Sequence, residues 1–283
     1  MHDIPLLTSI APLAETADVW FLDIWGVLHN GFKPFGGCVD ACVTFRKAGG
    51  TVILVSNSPR PRAGVIKQLT GIGVDPVAYD DVISSGDVSR ALIAAIAPGP
   101  LLHIGPVRDL PLFDRLGVTF AKAGQAQATV CSGLYDDEAE TPDDYRDMLA
   151  VLRARTVPMI CANPDIKAER GGKLIYCAGA IAQAYEALGG TVQYAGKPYA
   201  PIYDAALQMA ARLRGGAVET SRVLAIGDGV ATDIRGASNA GIRSVYIASG
   251  VNLARGVPLA DAAKTLFAAE AVKPIAVMTA LVW

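Results

Sequence analysis

Three carboxylates, a hydroxyl and an amine stand at places in this chain where apolar runs break. Asp23 lies at the carboxyl end of the run from Val19 to Ile24, ahead of the turn Trp25-Gly26-Val27-Leu28-His29-Asn30-Gly31. Ser56 follows the β-branched run Thr51 to Val55, and Asp228 follows Val223 to Ile226 inside Gly227-Asp228-Gly229, with Asp233 five residues further on. Lys197 stands between Gly196 and Pro198. Taken singly, each reads as an ordinary surface residue at a strand end or in a loop. Taken together, two or three carboxylates suit a hard cation such as Mg²⁺, which binds one or two carboxylates and fills its shell with substrate phosphate oxygens. A lysine and backbone N–H groups would balance phosphate charge, and a carboxylate can itself attack phosphorus.

The elements that must position these groups read as an α/β chain. Strand (19–24), helix (39–48) and strand (51–55) form a βαβ unit, whose crossover brings both carboxyl ends to one edge of a parallel sheet. Further helices are expected over 62–69 and 87–97. The pattern restarts with strand 101–104, helix 109–116, strand 129–132, helix 143–154, strand 157–161 and helix 177–188. It then continues with helix 202–213 and strands 223–226 and 244–247. Pro98-Gly99-Pro100 and Gly189-Gly190 have hinge composition, which predicts one domain from residues 1–97 and 191–283 and a second, inserted α/β domain from 98–190. The acidic stretch from Asp136 to Asp144 reads as a helix start, with Thr141 as N-cap and Pro142 at N1. Asn163-Pro164-Asp165 follows a strand end, where a polar turn can face a substrate, although on spacing alone an ordinary Asx turn is the better account. Gly171-Gly172-Lys173 lacks the spacing of a phosphate loop, and the chain contains no GxGxxG.

Composition narrows the classes. With 52% hydrophobic and 18% charged residues over 283 positions, the chain can bury a large core. Its 25 basic and 27 acidic residues leave a net charge of −2, which predicts neither a nucleic-acid nor a membrane partner. The five cysteines are odd in number and form no CxxC, so neither disulfides nor a structural zinc is expected, consistent with a reducing cytoplasm. The N-terminus has no basic segment ahead of an apolar core, and no apolar run reaches membrane-spanning length.

In order and spacing, D-I-W-G-V-L-H-N-G, V-S-N-S, G-K-P and G-D-G-V-A-T-D resemble the four motifs of the haloacid dehalogenase-like hydrolases. With C-A-N-P-D and G-K-P-Y-A-P-I-Y, the chain is similar to the subclass containing NagD-type and 4-nitrophenyl phosphatases, pyridoxal phosphatase and phosphoglycolate phosphatase. The resemblance runs from about residue 18 to 250. It implies a Rossmann-like core with an inserted α/β cap and a Mg²⁺-dependent phosphatase acting on a small phosphorylated metabolite. It further implies Asp23 as nucleophile, Ser56 with the Asn57 backbone on the phosphoryl group, Lys197 as neutralising cation, and Asp228, Asp233 and the Trp25 carbonyl at the metal. Homodimers through the cap are usual in such proteins. Asn163, Asp165, Glu169 and Arg170 are candidates for choosing the substrate.

One position departs from the pattern. Most phosphatases of this kind carry an Asp two residues after the nucleophile, which protonates the leaving alkoxide; here the residue is Trp25, whose indole does not titrate near neutrality. The acid–base role then falls to His29 or to a cap residue, or the chain does other phosphoryl or C–P chemistry, or it binds a phospholigand with little or no turnover. For His29, a structural hydrogen bond is the alternative to a catalytic role.

Overall fold

A computed structural model of the chain describes residues 4–170, 172–248 and 257–283. Gly171 of the glycine pair, Gly250 at the end of the family resemblance and the first three residues of the N-terminus lie outside the described residues. The described strands are β1 (Val19–Leu22), β2 (Thr51–Ser56), β3 (Asp81–Ser84), β4 (Leu101–Ile104), β5 (Ala128–Cys131), β6 (Met159–Cys161), β7 (Lys167–Arg170), β8 (Lys173–Tyr176), β9 (Val192–Tyr194), β10 (Val223–Gly227), β11 (Arg243–Ile247) and β12 (Ala276–Met278). The chain divides into two compact units. One comprises Met1–Ser56, Ile66–Ile83 and Tyr203–Trp283, and the other Asn57–Val65 and Ser84–Ile202.

The first unit is built on a sheet of order β12-β11-β10-β1-β2-β3, in which β1 pairs in parallel with β2 on one side and β10 on the other. All four residues of β1 and all five of β10 are buried, as expected of central parallel strands covered on both faces. Trp20 of β1 stacks on Phe45 of the helix Gly36–Lys47, with ring centroids 4.0 Å apart. At the other end of the strands, Asp18 accepts a bidentate pair of bonds from Arg222 at 3.0 and 2.7 Å. The same Asp18 donates its N–H to the Arg222 carbonyl at 2.8 Å, which sets the register of β1 against β10. The chain lays β2 and β3 to one side of β1, then returns much later to lay β10, β11 and β12 on the other. The carboxyl ends of β1 and β10 therefore flank the switch point of the sheet, the crevice where open α/β sheets bind ligands.

The second unit holds a parallel sheet of order β4-β5-β6-β9 and the antiparallel pair β7-β8. A core around Leu149, Leu152, Met159, Ile181 and Tyr185 packs the helices Arg146–Ala154 and Ala178–Ala187 on the sheet. Pro98-Gly99-Pro100 and Gly189-Gly190 are both internal connections of this unit, joining the helix Ser85–Ile96 to β4 and the helix Ala178–Ala187 to β9. The α-helix expected over 109–116 is instead a 3₁₀ helix, Val107–Phe113. Pro111 lies inside it and has no N–H to donate, so a longer α-helix loses a rung there. Gly172 and Lys173 belong to the β7-β8 connection and the start of β8, and so serve a hairpin.

Candidate active site

Asp23 is aimed by the ladder itself. Its N–H donates to the Ile226 carbonyl at 2.9 Å, so the pairing of β1 with β10 runs one residue past the strand and delivers the side chain at the sheet edge. Asp228 leaves the neighbouring strand one residue after Gly227. Asp233 is brought back to the same edge by a π-helical turn, Val230–Ile234, in which both the Asp233 and Ile234 N–H groups bond the Gly229 carbonyl, at 2.8 and 3.1 Å. Such wide turns are found preferentially at functional sites. The Asp233 carboxylate accepts from the Gly229 N–H at 3.0 Å and the Thr232 hydroxyl at 3.2 Å. Glycine at 227 leaves room for it, because a Cβ there would fall 2.2 Å from Asp233 Cγ.

The three carboxylates converge. Asp23, Asp228 and Asp233 each offer an oxygen, and these atoms all lie within 4.8 Å of one another. Asp23 and Asp233 are buried, at 9% and 6% exposure. Like charges so close repel by about 1 kcal/mol per pair even in water and by several times that at a protein surface. An all-oxygen acidic donor set of this kind fits a hard divalent cation, which would relieve that repulsion.

The loop after Asp23 is tightly made. The Leu28 and His29 N–H groups bond the Ile24 carbonyl at 3.0 and 3.2 Å, and the Gly26 N–H bonds the His29 carbonyl at 2.9 Å. His29 is buried, and its Nδ1 accepts the Gly31 N–H at 2.9 Å. A ring that accepts at Nδ1 carries its proton on Nε2 when neutral, and burial lowers its pKa toward that neutral form. His29 thus has the structural hydrogen bond that was one of its two readings. Trp25 stands edge-on to His29, with ring centroids 5.4 Å apart, and its indole lies across Gly31.

Ser56 ends β2 in the first unit, and the other candidates belong to the second. There Asn57, Lys197 and Asp165 form one connected group. The Asn57 carboxamide accepts from the Lys197 N–H at 2.7 Å and donates to the Lys197 carbonyl at 3.1 Å and to Asp165 Oδ1 at 2.8 Å. Asn163 Oδ1 accepts the Asp165 N–H at 3.1 Å, which makes the turn an Asx turn. Glu169 and Arg170 lie on β7. The Arg170 guanidinium is engaged by Asp137 at 2.6 Å, and Asp137 also receives Arg108. Burial acts to raise the Asp137 pKa, but the bonds from Arg170 and Arg108 outweigh it and hold the carboxyl below its usual range. The sequence offered Asp137 only as part of an acidic helix start, and Asn57 only for its backbone. Their side-chain partners lie between 29 and 140 residues away, beyond any local pattern.

A second polar group closes the carboxyl ends of β4 and β5. His103 Nε2 lies 2.9 Å from Ser132 Oγ, and the buried Asp109 carboxyl also bonds Ser132. Burial pushes the His103 pKa down to about 4.

Residues 20–119 match a haloacid dehalogenase-like hydrolase model, and residues 194–273 match a second model of the same kind, HAD-hydrolase-like. A haloacid dehalogenase-like hydrolase from Brucella suis 1330 is 45% identical, with a TM-score of 0.86 over 98% of this chain and 100% of that one. D-glycerol 3-phosphate phosphatase of Mycobacterium tuberculosis (strain ATCC 25618 / H37Rv) is 28% identical over 86% of this chain, which spans 66% of that relative's length. The crystal structure of glycerol phosphate phosphatase from Mycobacterium tuberculosis in complex with calcium shares the fold, at 24% identity and a TM-score of 0.65 over 85% of this chain and 68% of that one. With strand-end carboxylates at the switch point, two matching family models and a relative at 45% identity along almost its whole length, the chain belongs to the haloacid dehalogenase-like hydrolases.

Proposed function

We propose that this protein is a Mg²⁺-dependent phosphatase of small phosphorylated metabolites, and the observation that carries the reading is the convergence of Asp23, Asp228 and Asp233 at one sheet edge. In this reading an Asp23 carboxylate oxygen attacks phosphorus and the bond from phosphorus to the ester oxygen breaks, the leaving oxygen departing as an aryl oxide or taking its proton from solvent to leave as an alcohol. Water then cleaves the aspartyl phosphate, releasing inorganic phosphate and restoring the carboxylate. Asp228, Asp233 and the Trp25 carbonyl would hold the cation, which when bound supplies charge stabilisation to the phosphoryl oxygens. Ser56 and the Asn57 backbone hydrogen-bond the phosphoryl group, and Lys197 neutralises it. The inserted segment 98–190 acts as the cap that selects the substrate, through Asn163, Glu169 and Arg170 among others. The reading carries with it a cytoplasmic location and a homodimer formed through the cap, which sedimentation would measure.

The D-glycerol 3-phosphate phosphatase relative suggests glycerol 3-phosphate as a first alkyl ester to try, with 4-nitrophenyl phosphate as the second, an aryl ester. Trp25 and the occupied Nδ1 of His29 favour the second over the first, because an aryl oxide leaves without the proton that an alkoxide needs. The same two observations support a second reading, a phospholigand-binding protein with little turnover. A panel of phosphate esters, assayed with Mg²⁺ and with EDTA on wild type and Asp23→Asn, separates them. The phosphatase reading expects Mg²⁺-dependent turnover that falls at least about 10³-fold in Asp23→Asn. Unchanged turnover in that variant refutes the nucleophile assignment, and tight Mg²⁺-dependent binding without turnover in the wild type selects the second reading.

A further inference from the structure

Lys197 stands on a backbone that one side chain holds from both sides. The Asn57 carboxamide takes the Lys197 N–H on Oδ1 at 2.7 Å and gives an N–H to the Lys197 carbonyl at 3.1 Å, as a neighbouring strand would. Its amide nitrogen also donates to Asp165 Oδ1 at 2.8 Å. Asn57 and Lys197 are buried, at 6% and 3% exposure, so water is a poor substitute for any of these partners.

A carboxamide fits such a slot in two orientations, related by a half-turn that exchanges its oxygen and nitrogen. The Lys197 peptide, offering one donor and one acceptor, already favours one of them, and the Asp165 carboxylate, which accepts, adds a third bond that favours the same one. In the flipped orientation Asn57 Oδ1 would face both the Lys197 carbonyl and the Asp165 oxygen, and the amide N–H groups would face the Lys197 N–H. Three attractive contacts would become three repulsive ones. Asp165 is itself held in place, with its N–H on Asn163 Oδ1 and its carbonyl accepting the Gly179 N–H, both at 3.1 Å. The turn that follows β6 thereby anchors the Asn57 carboxamide through a bond independent of Lys197, and Asn57 in turn satisfies both polar groups of the Lys197 peptide.

We propose that Asp165 is a positioning residue for Lys197 that acts through the Asn57 carboxamide, and does not choose the substrate. This rests on the reading of Lys197 as the cation of the phosphoryl site. Misplacement of a charged group by a fraction of an ångström slows turnover for every substrate alike, whereas a specificity residue changes their ranking.

The test uses the full-length protein as wild type, Asp165→Ala and Asp165→Asn. Amide hydrogen exchange at Lys197, followed by NMR, reads the link directly. Asp165→Ala is expected to lower the protection of the Lys197 N–H about tenfold or more. Asp165→Asn, which retains an acceptor oxygen, restores most of it. Kinetics on the phosphate-ester panel should show kcat falling by a common factor, with the order of kcat/KM among substrates preserved and with Asp165→Asn partly rescued. Unchanged protection at Lys197 in both variants, or a reordering of substrates in Asp165→Asn, overturns the proposal. Absence of turnover in the wild type would refute the phosphatase reading instead, and the exchange measurement would still decide the role of Asp165.

Discussion

Removing one carboxylate from the strand-end cluster should stabilise the protein when no metal is bound. At 4.8 Å, the greatest separation within the cluster, two like charges repel by about 0.9 kcal/mol in water and about 3.5 kcal/mol at the effective dielectric of a protein surface. Asp228→Asn relieves two such pairs while keeping a side chain of nearly the same shape. Taking the water value as a floor gives about 1.7 kcal/mol, which for a unit of this size corresponds to a rise in melting temperature of about 3–7 °C. All three tryptophans, Trp20, Trp25 and Trp283, lie in the first unit, so thermal unfolding followed by their fluorescence reports on the unit that carries the cluster. In EDTA, Asp228→Asn should melt above wild type. In saturating Mg²⁺ the order should reverse, because wild type gains the free energy of ion binding and the variant loses most of it. A variant that melts below wild type in EDTA, or that responds to Mg²⁺ as wild type does, refutes the argument that these carboxylates are gathered for a cation.

Three further outcomes follow from other parts of the structure. Wild-type turnover should depend steeply on leaving-group pKa, with aryl phosphates ahead of alkyl ones, and Trp25→Asp should raise alkyl phosphate turnover by about 10²-fold; no rise would show that an acid already serves the site. The His103 imidazole should titrate near pH 4 by NMR, well below its unperturbed 6.5. Its folded pKa is depressed, so the unfolded chain binds the extra proton first, and the stability it contributes is complete above pH 6.5 and lost as pH falls toward 4, a change of about 3 kcal/mol; a midpoint at 6 or above contradicts this. Gly227→Ala should push Asp233 from its place, since the added Cβ would lie 2.2 Å from its Cγ, and should weaken Mg²⁺ binding measured by calorimetry by about tenfold or more while the fold survives.

The parts of the molecule legible from sequence are those whose physics is local. β1, β2 and β10 are continuous apolar runs ending in Asp, Ser or Gly, and a strand buried on both faces leaves that signature. Other strands leave little trace in the sequence: β3, β7, β8, β9 and β12 span only three or four residues each, and β7 and β8 carry exposed Lys and Arg in an isolated pair. The helix ends moved by one to three residues, as at Gly36–Lys47 and Ala200–Arg214, where flanking small residues join the first turn. At the site, the gathering of Asp23 with Asp228 could be expected from the βαβ rule, because both end parallel strands. The binding of Asn57 to Lys197 and Asp165 could not, since a hydrogen bond between residues 140 positions apart leaves no trace in composition or periodicity.

The pairing of β1 with β10 also bears on how the chain is made. Val19 lies opposite Val223, 204 residues later, and at about 5–20 residues per second a ribosome needs about 10–40 s to supply the partner. Through that interval β1, Val-Trp-Phe-Leu, can pair with β2 alone and presents an open apolar edge on its other side. An unpaired hydrophobic edge is a template for joining another nascent chain. Production in cells should therefore depend on holdase chaperones and translation speed far more than the stability of the finished fold would suggest. The carboxylate cluster can assemble only when that edge closes, so the capacity to bind a cation arrives in the same event that removes the hazard.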